Sequence, residues 1–157
     1  MRLLMTLHQA RIEADLGLPI DSVTATLARG VEHGESRESV ARTVASLGQG
    51  AERAGTDTLA ALRTAIRYYK FAESTQAWDT TAFLLGASSL SLAQRLANEA
   101  RSTRRCDDVR EMQALLVDAQ INLVKGGRGF PIQPAPRLRA VPPTTEYAEQ
   151  LAKALCR

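Results

Sequence analysis

The sequence predicts an all-α protein: a multi-helix bundle of about six helices, then a proline-rich extended strap and a short C-terminal helix. Three observations predict it. Apolar residues recur at spacings of three and four along most of the chain, the period of a helix with one buried face. Gly, Pro, Asp, Ser and Thr stand between these stretches, where helices start and stop. No segment alternates with period two among β-branched residues, which is the mark of a strand.

Composition points the same way. Aromatic residues make up only 4% of the 157 residues, while hydrophobic residues make up 45%. A core short of rings is filled by Leu, Ala, Val and Ile, which suit close helix–helix contact. A chain of this length buries roughly 70% of its unfolded surface and folds without a metal or a staple.

The first helix is expected over residues 2–16, stopping at Gly17. Residues 18–21 form a turn, with Asp21 or Ser22 capping a helix reaching about Glu32, where His33-Gly34 ends it. Ser36 caps a third helix. Ser39 stands where a full capping box wants Glu or Gln. That helix runs to about Leu47, weakens at Gly48 and Gly50, and closes by Gly55. Thr56 or Asp57 starts the fourth, over residues 57–73, with Leu59, Leu62, Ile66 and Tyr69 on one face. Arg63, Arg67 and Lys70 share another face, near Tyr68.

A long helix over residues 78–102 carries two stripes. Leu85, Leu92 and Leu96 form one. Ala82, Gly86, Ser89, Ala93 and Ala97 form the other, all small. Gly inside a helix costs about 1 kcal/mol against Ala, so Gly86 implies a backbone passing close by. After the basic turn of residues 101–105, Asp107 and Asp108 open the next helix at the end its dipole favours for acids. Val109, Met112, Leu116, Ala119 and Leu123 form its buried stripe, Lys125 sits in its last turn, and Gly126 ends it.

Five of the six prolines fall at Pro131, Pro134, Pro136, Pro142 and Pro143. Proline has no amide proton and fixes φ, so residues 126–143 read as an extended strap. Its Phe130, Ile132, Leu138 and Val141 are expected to contact a partner surface. Thr144 or Thr145 starts a docking helix over residues 144–157, with Tyr147, Leu151 and Leu155 as its apolar stripe, expected to meet the bundle or, as part of the same partner-binding set, a neighbouring chain. The expected organisation is a bundle domain at 1–125, the strap at 126–143 and this helix.

Net charge is +3. Residues 1–56 carry a net −1 and residues 57–157 a net +4, with no acid between Asp118 and Glu146. Arg101, Arg104, Arg105, Lys125, Arg128, Arg137 and Arg139 are therefore the candidates for meeting a polyanion. Seventeen of the twenty basic residues are Arg, which a GC-rich genome favours. A soluble, cytoplasmic protein is expected, from a bacterial cell or a virion. The start lacks a full apolar core and a small-residue cleavage site, and no apolar run approaches the roughly 20 residues of a membrane span.

No catalytic set emerges. The run Gly126-Gly127-Arg128-Gly129 follows a helix, whereas a phosphate-binding loop precedes one. His8 and His33 lack the spacing of a metal site, and Asp107 and Asp108 are accounted for by their place in a first turn. No catalytic, cofactor or metal residue is assigned. Cys106 and Cys156 are read as free thiols, because nothing signals export; a disulfide between them would close a loop of about 50 residues.

One segment, Ile12-Glu-Ala-Asp-Leu-Gly-Leu-Pro-Ile-Asp-Ser-Val-Thr-Ala-Thr-Leu-Ala-Arg29, resembles the helix-turn-helix of bacterial transcription regulators. Gly17 would supply the turn, and Val23 and Leu27 the buried face of the second helix. The resemblance implies a reading helix that offers Asp21, Ser22 and Thr24 to the major groove. Glu13 stands where such units carry a small residue, and no Arg or Lys precedes Arg29. The expected function is therefore that of a non-enzymatic interaction or assembly protein, a structural component, adaptor or inhibitor. It would contact a macromolecular partner or another copy of itself. The alternative is nucleic-acid binding through residues 12–29 or 101–139.

Overall fold

The computed structural model describes residues 3–54, 57–127 and 145–156. Among them are seven α-helices and no strand. They belong to two units, Met1–Thr81 and Ala82–Arg157.

The first unit holds α1 (Leu3–Asp15), α2 (Ile20–Glu32), α3 (Arg37–Ala54) and α4 (Thr58–Thr75). Two glycines stop its first two helices by the same device. Gly17 has φ +73; its N–H donates to the Ala14 carbonyl at 3.0 Å, and the Leu18 N–H donates to Glu13 at 3.0 Å. Gly34 has φ +98, and the Gly34 and Glu35 N–H groups donate to Val31 at 3.1 Å and Gly30 at 2.9 Å. Both are Schellman motifs, in which a left-handed residue lets the last carbonyls find donors.

The start of α2 differs from expectation. Pro19 occupies the capping position and no side chain caps the helix. The Asp21 carboxylate instead accepts from Arg67 of α4. Ser36 does cap α3, its hydroxyl accepting from the Ser39 N–H at 3.1 Å. Helix α3 also continues to Ala54, past both glycines expected to weaken it. A Cβ at Gly48 would lie 2.5 Å from Cε1 of Tyr69, so this glycine seats a ring and does not break the helix.

Asp57 caps α4, accepting from the Leu59 and Ala60 N–H groups at 3.0 and 3.3 Å. Asp57→Ala is expected to lower the stability of this unit by about 1 kcal/mol. A urea midpoint that falls at unchanged slope would register it.

Helix α3 packs along α4, and α1 along α2. One core cluster joins all four: Ala10 from α1, Val23 and Leu27 from α2, Val40 and Val44 from α3, Tyr68 and Ala72 from α4. Burying each of the Val and Leu side chains contributes about 1.5–3 kcal/mol.

The second unit begins within α5 (Asp79–Thr103) and adds α6 (Cys106–Gly127) and α7 (Thr145–Leu155). Ala82, Ser89, Ala93 and Ala97 of the small-residue stripe are all buried, and so is Gly86. A Cβ at Gly86 would meet the Leu123 backbone nitrogen at 2.8 Å, and one at Gly126 would meet the Phe83 nitrogen at 2.6 Å. The stripe thus lets α5 and α6 approach backbone to backbone inside the chain. Gly126 belongs to this contact, and α6 runs one residue past it. The turn between the two helices places Arg104 at φ +53, a left-handed position that costs a non-glycine residue roughly 1–2 kcal/mol.

Residues 128–144, which contain nearly all of the expected strap and Thr144, lie outside the described residues. Helix α7 packs on α6. This corrects the reading of the cysteines as free thiols: Cys106 and Cys156 form a disulfide, with 5.1 Å between their Cα atoms. The return of α7 to the start of α6 brings together two residues 50 apart in sequence.

Candidate functional site

Three surfaces are candidates for contact. The first lies on α6. Val117 is 53% exposed, Ile121 60% and Val124 45%. Their spacing of four and three puts them in one row along the helix. The buried stripe of Val109, Met112, Leu116, Ala119 and Leu123 occupies the other side. Helix α6 therefore carries apolar side chains on two faces and buries one of them. Sequence reasoning followed the first stripe and passed over the second. The signal was there: Val117, Ile121 and Val124 repeat with the same period, offset from the first stripe by one or two residues.

The second surface is a groove of about 680 Å³ in the first unit. The α1–α2 turn supplies Leu18 and Pro19, α3 supplies Leu47 and Ala51, and α4 supplies Arg67 and Tyr68. Tyr68 is only 4% exposed. Burial pushes its hydroxyl above the ordinary value of 10.0, against the lowering pull of Arg67. The Arg67–Asp21 pair ties the N-terminal turn of α2 to α4 beside this groove. Leu18, which lines the groove, is exposed.

The third surface is the basic turn between α5 and α6. Arg101, Arg104 and Arg105 are exposed there. Arg101 donates from Nε to the Tyr147 hydroxyl at 2.6 Å, and its guanidinium lies 5.2 Å from the centre of that ring. Lys125 is near the far end of α6, about 30 Å from Arg105 at 1.5 Å per residue. The described cations of the expected polyanion site therefore do not form one patch. Arg128, Arg137 and Arg139 lie outside the described residues, as do Phe130, Ile132, Leu138 and Val141. Of the expected partner-binding set, Tyr147, Leu151 and Leu155 are described, each half-buried on α7.

The segment resembling a helix-turn-helix does fold as helix, turn and helix over α1 and α2. Glu13 accepts a hydrogen bond from the buried Thr26 hydroxyl at 2.9 Å, and Arg29 donates to that same hydroxyl at 3.1 Å. Here the polar residue at position 13 has a job between the two helices.

The histidines do not line the groove. His33 Nδ1 lies 2.6 Å from the Arg29 carbonyl at the end of α2. Glu35 is buried, and its carboxylate oxygens have no hydrogen-bond partner among the described residues. No group of His, Cys, Asp and Glu suited to a metal occurs among the described residues. No described helix is long and apolar enough to cross a membrane. The chain matches no known protein family, no curated protein and no solved structure.

Proposed function

We propose that this chain is a non-enzymatic interaction protein, working through contact with another macromolecule or a second copy of itself. The row Val117, Ile121 and Val124 on α6 carries this reading. Three large aliphatic side chains in register, roughly half exposed each, leave apolar area in water that a partner surface would cover, at about 25 cal/mol per Å². Scattered exposed aliphatics need no explanation, whereas an aligned group of them marks a contact surface.

The row is short beside a standard interface of about 800 Å² per partner. It fits a reversible contact, or the centre of a larger one. Either suits a structural component, an adaptor or an inhibitor. A cytoplasmic or virion setting was expected from the sequence, and the Cys106–Cys156 bond favours the particle, because cytosolic thiols are kept reduced.

Light scattering tests the reading. The mass is expected to rise above one chain of 17.0 kDa with concentration, and Ile121→Glu is expected to hold it at one chain. Because Ile121 is exposed, the same substitution should leave thermal stability within about 0.5 kcal/mol. A wild-type preparation that stays at one chain and carries no other macromolecule counts against the proposal.

The nucleic-acid alternative has weaker support from charge placement. Arg101, Arg104 and Arg105 stand at one end of α6 and Lys125 near the other, and Asp21 near the head of α2 would repel phosphate. Binding to duplex DNA that falls steeply with salt and survives Ile121→Glu would favour that alternative.

A further inference from the structure

We propose that α7 is a redox-set latch: the Cys106–Cys156 disulfide holds it on α6, and reduction by a dithiol lets it go. The inference rests on the second unit alone and does not depend on the proposed function.

Three observations carry it. Helix α7 has 11 residues, below the roughly 12–15 at which an isolated helix becomes even marginal in water. It therefore depends on what it packs against. Its packing is thin, however: Ala148 is its one buried side chain, and Tyr147, Leu151, Ala152 and Leu155 are half-buried. Two further described attachments sit at its ends. Near the N-terminal end, Tyr147 meets the exposed Arg101, an arrangement that water screens. Just past the C-terminal end, Cys156 is bonded to Cys106. Unlike that polar contact, the covalent bond is not weakened by water.

Both cysteines are half-buried and neither is fully enclosed, which leaves an attacking thiolate a route to the bond. One thiolate of a small dithiol attacks one sulfur, and the Cys106–Cys156 bond breaks as a mixed disulfide forms. The second thiolate then attacks that mixed disulfide. Two electrons pass to the protein, both cysteines take up a proton, and the dithiol leaves as its own cyclic disulfide. With the bond open, α7 loses its covalent tie to α6 and is left to non-covalent contacts, its small buried area and the Arg101–Tyr147 contact among them.

Hydrogen exchange on the full chain, with dithiothreitol as the probe, tests this. Thiol titration is expected to count two thiols per chain after treatment and none before. Amides of residues 147–155 are expected to exchange at least tenfold faster after reduction. Amides in the buried stretches of α3, α4 and α6 are expected to keep their rates. Cys156→Ser should reproduce the fast α7 exchange with no reductant. Unchanged α7 rates after both thiols titrate would overturn the proposal. So would a loss of protection throughout α5 and α6, since the bond would then staple the unit as a whole. A folded chain whose disulfide resists dithiothreitol would overturn it too.

Discussion

Tyr69→Ala is expected to cost the first unit about 3–5 kcal/mol, the range for truncating a buried aromatic side chain. Tyr69 is the largest fully buried side chain in the chain's described residues. Its ring lies over Gly48 of α3, where an added Cβ would come within 2.5 Å of Cε1. The two residues are therefore coupled, and a double-mutant cycle should expose it. Alone, Gly48→Ala must push the ring aside and destabilise. With Tyr69→Ala in place the obstruction is gone, and the same change should recover up to about 1 kcal/mol through helix propensity. Urea unfolding followed by the single tryptophan, Trp78, reads both effects from this unit. Equal effects of Gly48→Ala in the two backgrounds would show that the ring does not set the spacing of α3 and α4.

Gly86→Val is expected to destabilise the second unit by about 3 kcal/mol, the upper part of the range for overpacking. Two terms oppose each other here. Valine is the better helix former, by a few tenths of a kcal/mol. Against that, its Cβ would fall 2.8 Å from the backbone nitrogen and 2.7 Å from Cγ of Leu123. A flexible side-chain end could swing away, but the backbone of α6 cannot without moving the helix. The clash therefore wins. Exchange rates of buried α6 amides, such as those of Met112 and Leu116, measure the loss. Rates that stay at the wild-type value would mean that α5 and α6 tolerate a wider separation.

Local physics was the legible part of this sequence. Gly17 and Gly34 announced helix stops, Ser36 and Asp57 announced starts, and the small stripe around Gly86 announced a close backbone approach. Each of these depends on residues within a few positions of one another, or on a steric fact about glycine. Gly48 was misread because a breaker and a seat for a ring look alike until the partner, 21 residues on, is in place. The disulfide was hidden for the same reason, as nothing near Cys106 or Cys156 records the return of α7. At α2, the cap expected from Asp21 gave way to a pairing with Arg67 of α4, which only tertiary structure supplies. The candidate site was partly legible. The row on α6 was written at helical spacing, but which of two apolar stripes is covered depends on where α5 and α7 lie.

The Cys106–Cys156 bond also changes the covalent topology of the molecule. The segment between these residues is a closed ring, from which the first 105 residues extend as a tail. One peptide-bond cut inside the ring opens it without releasing anything, so the nicked protein keeps its full mass until the disulfide is reduced. A cut anywhere in the tail sets a fragment free at once. Proteolysis gels run with and without reductant therefore tell cuts between Cys106 and Cys156 from cuts within residues 1–105.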